Sequence, residues 1–139
     1  MGSTKYTKAV DMWAVGCILG EMVHGKPIFP GNSTINQLER VLELTGRPSA
    51  EDIASVKTPH AQSMIDSIAS VRHRPFADFF PAASPEALDL IRATMHFNPD
   101  KRLTAYEALR HPYVAAFHND AEELPCPYVL KIQVDDNTK

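Results

Sequence analysis

The residues best placed for chemistry form an acidic group near the end of the chain. Asn119, Asp120, Glu122 and Glu123 crowd polar and charged side chains into five positions. The plain reading of such a run is a solvated charged loop. Asp11 sits where a helix would begin, and a carboxylate there offsets the helix dipole. Arg102 follows an Asn98-Pro99 turn, an ordinary place for a surface arginine. The six histidines have no metal-ligand spacing with one another or with the two cysteines, so no metal site is expected. Cys17 lies in an apolar stretch and Cys126 between Pro125 and Pro127. That argues against a disulfide framework and for a reduced, intracellular protein.

Composition excludes several classes. The chain has 139 residues, enough for one modest domain. It is 44% hydrophobic and 22% charged, and its net charge of -3 offers no general affinity for nucleic acid or anionic membrane. No apolar run approaches a membrane span. Residues 1–6 lack the apolar core of a signal peptide, and Tyr6 stands where a myristoylation motif wants Ser or Thr.

The elements that must position these residues read as mainly α. Thr7 to Val23 leaves almost no polar face, as in a helix buried on all sides, with Thr7 as N-cap and Gly25 and Pro27 as its stop. Gly16-x-x-x-Gly20 in it fits close helix packing better than a membrane dimer, because the flanks are short and charged. A second helix is expected from Ser33 or Thr34 to Leu44, with Ile35, Leu38, Val41, Leu42 and Leu44 as its stripe and Gly46 and Pro48 at its end. Ser49-x-x-Asp52 opens a short helix, and a weaker helical run surrounds Met64, Ile65 and Ile68. Residues 71–81 read as loop, anchored by Phe76, Phe79 and Phe80. Ser84-Pro85-Glu86 starts a helix striped by Leu88, Ile91 and Met95. Thr104-x-x-Glu107 is a capping box for a last helix through Leu109. Beyond Phe117, Tyr128, Leu130, Ile132 and Val134 alternate as in a strand that has no partner strand; this tail either lies in a groove or is disordered. A helix apolar on every face, with few short helices to cover it, points to an incomplete domain.

The order of these segments resembles the large lobe of protein kinases after the activation segment. Val10-Asp11-Met12-Trp13 resembles the entrance of its central helix. Pro27-Ile28-Phe29-Pro30-Gly31 resembles the following link. Asn98-Pro99-Asp100-Lys101-Arg102 and His111-Pro112-Tyr113 resemble its late segments. Thr45-Gly46-Arg47-Pro48-Ser49 and Phe79-Phe80-Pro81 look like the borders of the insert that MAP kinases carry. Within that group the chain looks closest to the atypical extracellular-signal-regulated branch. The resemblance implies the C-terminal part of a kinase domain at 1–117, an insert at about 47–83, and at 118–139 the start of a C-terminal extension, to which Val134-Asp135-Asp136-Asn137 is similar.

The same resemblance implies an intracellular Ser/Thr kinase, cytoplasmic or nuclear, that transfers phosphate from ATP with Mg²⁺ in its complete form. This chain contains no Gly-x-Gly-x-x-Gly, Val-Ala-Ile-Lys, His-Arg-Asp, Asp-Phe-Gly or Ala-Pro-Glu, so it is expected to be catalytically incompetent alone and to bind no cofactor. Both ends look cut. By resemblance, Asp11, Trp13 and Arg102 support the active site: Asp11 as a buried carboxylate that holds the catalytic loop, Arg102 by pairing with the Glu of Ala-Pro-Glu. With that Glu missing, poor stability is expected. Asp120, Glu122 and Glu123 match a docking patch for basic segments of substrates, upstream kinases and phosphatases, although Asn119 stands where an Asp is usual. Thr34, Ile35, Leu38 and Met64 match a docking pocket for aromatic motifs; ordinary core packing is the plain alternative, and the family prefers aromatic residues at Thr34 and Met64. The other functional reading is a non-catalytic docking module.

Overall fold

The computed structural model describes residues 8–68 and 71–128. Nine helical segments follow one another among them, with no strand. They are α1 (Lys8–His24), α2 (Thr34–Thr45), α3 (Ala50–Ser55), α4 (Ala61–Asp66), α5 (Phe76–Phe79), α6 (Pro85–Thr94), a 3-10 turn (Pro99–Lys101), α7 (Ala105–Leu109) and a second 3-10 turn (Ala115–Phe117). The expected N-cap Thr7 and the alternating tail from 129 onward, including Val134-Asp135-Asp136-Asn137, lie outside the described residues.

Helix boundaries follow local chemistry. Ser33, Ser49, Ser84 and Thr104 each accept a backbone N–H three residues on, and the boxes at Ser49 and Thr104 are closed by Asp52 and Glu107. Gly25 (φ 76°) and Gly46 (φ 79°) end α1 and α2 in the left-handed region, each donating its N–H four residues back.

α6 crosses α1 where α1 has no side chains. A Cβ on Gly16 would lie 2.4 Å from Met95 Cγ and 2.5 Å from Thr94 Oγ1, and one on Gly20 would lie 3.2 Å from both Ile28 and Phe80. The two glycines therefore serve helix packing, and no described helix is long and apolar enough to cross a membrane. Ile28, Leu44, Phe80, Ile91 and Met95 form one core here; Leu38, Leu42, Ile65, Ile68 and Phe97 form a second, between α2 and the 50–68 segment.

Two expectations differ from the structure. α1 is not buried all round: Met12, Gly16 and Gly20 are covered, while Val15, Ile18 and Met22 are exposed, the last at 75%. α6 and Phe80 cover one face, and no described residue covers the other. Residues 71–81 are not all loop. Phe76–Phe79 makes one helical turn because Phe76 and Phe79 both turn onto Phe80, with ring centroids 5.3 and 6.3 Å away. Phe80 is itself a fully buried anchor.

Candidate functional site

Thr34 and Leu38, one turn apart on α2, meet Met64 of α4 along one cavity of about 380 Å³. Its far wall comes from α1 and the turn after α6, as Trp13 and Arg102. The residues expected to support an active site and those expected to form a pocket thus share one surface. Val56 and Phe97 also line it and have no periodic signal that would single them out. Ile35 is not part of it; it points outward at 39% exposure, because α2 turns Leu38, Leu42 and Val41 inward.

Arg102 is half-buried and donates to three backbone carbonyls: Nη1 to Ala9 (2.8 Å), Nε to His96 (2.7 Å) and Nη2 to Phe97 (3.2 Å). Its guanidinium lies 4.8 Å from the centre of the Trp13 ring, which stacks in turn on Phe29 at 5.8 Å. Burial pushes Arg102 down to about 10, so it stays charged at neutral pH. Burial, with Glu21 nearby, raises the Cys17 thiol to about 11, which keeps it protonated and unreactive. Asp11 does not join this group. It is exposed in the first turn of α1, on a side that no described element covers.

The wall formed by the 50–68 segment is clamped. Asp52 accepts from Lys101 Nζ (2.8 Å) and Asn98 Nδ2 (3.1 Å), across 49 and 46 residues of sequence. The Lys101 and Asn98 donors hold the Asp52 carboxyl well below the usual carboxylate range.

The acidic patch splits into unlike parts. Glu123 turns inward, with Oε1 accepting the Asn119 amide (3.1 Å) and Oε2 against His118 Nδ1 (2.6 Å). Asp120 pairs with Arg110, whose guanidinium lies 3.7 Å from the Tyr106 ring centre. Glu122 is exposed and in no ion pair among the described residues. The ligand atoms of His118, Asp120 and Glu123 lie within 4.8 Å of one another. Asp120 and Glu123 thus already have partners within the chain, in Arg110 and His118.

Neither the cavity beside Trp13 nor a second one, lined by Arg47, Asp52 and Arg92, fits MgATP. Each has a single carboxylate on its wall, Asp100 in the first and the occupied Asp52 in the second. Neither is lined by glycine amides that could cradle a triphosphate.

The family profile of the protein kinase domain matches residues 1–114. Extracellular signal-regulated kinase 2 of Dictyostelium discoideum is 55% identical over the whole chain, which covers 38% of that protein. Mitogen-activated protein kinase 15 of Xenopus laevis is 52% identical over 99% of the chain, covering 24% of that protein. The namesake from Caenorhabditis elegans is 38% identical over 98% of the chain, covering 31% of that protein. The chain therefore spans between about a quarter and two fifths of the length of these curated relatives. With its helical architecture, this places the chain in the C-terminal helical lobe of the kinase fold. The chain belongs to the protein kinase family, and within it to the MAP kinase group.

Proposed function

We propose that this chain is the docking-bearing C-terminal part of a Ser/Thr MAP kinase of the atypical extracellular-signal-regulated branch. Residues 1–117 are kinase domain, with its insert at about 47–83, and 118–139 begin the extension. In the complete protein the missing segments bind MgATP and transfer phosphate; this chain contributes partner recognition. The 55% identity to the Dictyostelium extracellular signal-regulated kinase 2 supports the extracellular-signal-regulated part of this reading.

The observation that carries the docking role is the convergence of Thr34, Leu38 and Met64 on one apolar-walled cavity beside Trp13. Such a cavity takes an aromatic side chain of a partner peptide. Basic residues of substrates, activating kinases or phosphatases meet the patch mainly at Glu122, because Asp120 and Glu123 are engaged internally. Since these surfaces need no catalysis, the same chain alone would act as a non-catalytic docking module.

The test is binding of an aromatic docking peptide to the complete kinase by fluorescence anisotropy. Leu38→Asp should weaken it at least about tenfold, since a buried uncompensated charge costs several kcal/mol. Ile35→Asp should change it little. Equal binding by wild type and Leu38→Asp would end the pocket reading.

A further inference from the structure

Arg47, His73, Arg92 and His96 line a second cleft, of about 290 Å³. They come from four places in the sequence: the turn after α2, the loop before α5, α6, and the turn after α6. The cleft shares Phe97 with the docking cavity but none of the docking residues named above. A basic residue in the last turn of α6 would by itself be simple dipole compensation. That accounts for Arg92 and not for the convergence of four cationic or N–H-bearing side chains.

The charge in this cleft is largely unspent. Its one acid, Asp52, is already held by Lys101, Asn98 and the Ser49 amide. Arg47 reaches Asp66 at 3.7 Å, with both side chains more than half exposed, and donates Nη1 to the Ile68 carbonyl at 3.5 Å. Arg92 lies 5.2 Å from the centre of the Phe76 ring. Like His73 and His96, it makes no side-chain hydrogen bond or ion pair among the described residues. The loop that carries His73 is also held in place. The Arg74 amide donates to Glu43 O (3.1 Å), tying the loop that carries His73 to α2. The His73 ring lies over Gly46, 3.4 Å from where a Cβ would stand.

Arginine presents paired donors that match phosphate oxygens, and imidazoles add single N–H groups beside them. We propose that this cleft binds a phosphate monoester, either as a phosphorylated serine or threonine of a polypeptide or as free phosphate. The Phe76 ring forms an apolar wall for the remainder of a phosphorylated residue. This site is independent of the docking surfaces above and stands or falls separately from them.

Isothermal titration calorimetry of the full-length polypeptide at low salt tests it, with inorganic phosphate, a phosphoserine peptide and the same peptide unphosphorylated. Phosphate and the phosphopeptide should bind and the unphosphorylated peptide should not. A tighter phosphopeptide identifies a polypeptide ligand; equal affinities identify the free anion. Arg92→Gln and His73→Gln, both at exposed positions, should each weaken binding about tenfold. Lys26→Gln, which removes an exposed charge outside the cleft, should leave it unchanged. No binding at millimolar ligand, or equal weakening by Lys26→Gln and Arg92→Gln, would overturn the proposal.

Discussion

Arg102 illustrates how one side chain joins distant segments. Its three bonded nitrogens go to carbonyls of α1 and of the turn after α6, and Ala9 lies 93 residues away in sequence. Without it these carbonyls lose charge-assisted partners and Trp13 loses its cation. Arg102→Gln should lower the stability of the chain by about 2–3 kcal/mol, read as a shift of the urea midpoint. A shift worth less than about 0.5 kcal/mol would return it to an ordinary surface arginine. That Arg102 follows the turn was legible in the sequence. Its carbonyl partners were not, because no local pattern says which backbone groups a long side chain will meet.

At the scale of elements, close approach and clamping decide stability. Gly16 lets α6 lie on α1, and a methyl there would collide with Thr94 and Met95, both buried. Gly16→Ala should cost about 1–3 kcal/mol by overpacking, seen as a lower melting temperature; an unchanged one would mean that the contact yields freely. Asp52 clamps α3 to the turn after α6, and its folded-state pKa is depressed by the Lys101 and Asn98 hydrogen bonds. A depressed carboxylate stabilises the fold above its unfolded value of about 3.9, and that stabilisation is lost as pH falls below it. Asp52→Asn should therefore be less stable at neutral pH and show a flatter decline below about pH 4. Urea midpoints between pH 7 and pH 2 check this, and an acid limb as steep as that of wild type would contradict it. The caps were readable because each is a contact within four residues. The single turn of α5 was not, because it depends on where Phe76 and Phe79 find Phe80.

For the whole molecule, the uncovered face of α1 matters most. Val15, Ile18 and Met22 form an apolar surface that no described residue buries. Stability then rests on the two cores beside α6 and α2. The isolated chain should melt broadly and bind a hydrophobic dye such as ANS before unfolding. A sharp, cooperative melt at an ordinary midpoint would show that the exposed face carries no penalty.

The sequence by itself determined the caps at Ser33, Ser49, Ser84 and Thr104, the glycine stops of α1 and α2, the kinase-like order of motifs and the positions of the candidate residues. Caps, glycine stops and amphipathic stripes are set by neighbours within a turn or two, so they survive translation into one dimension. Only the tertiary structure decided that Thr34, Leu38 and Met64 share a cavity that Ile35 leaves, that Asp11 is exposed, and that Glu122 alone of the docking acids has no side-chain partner among the described residues. Only it gathered Arg47, His73, Arg92 and His96 around one cleft. Those outcomes depend on the side each helix turns to its neighbours and on contacts closed across tens of residues.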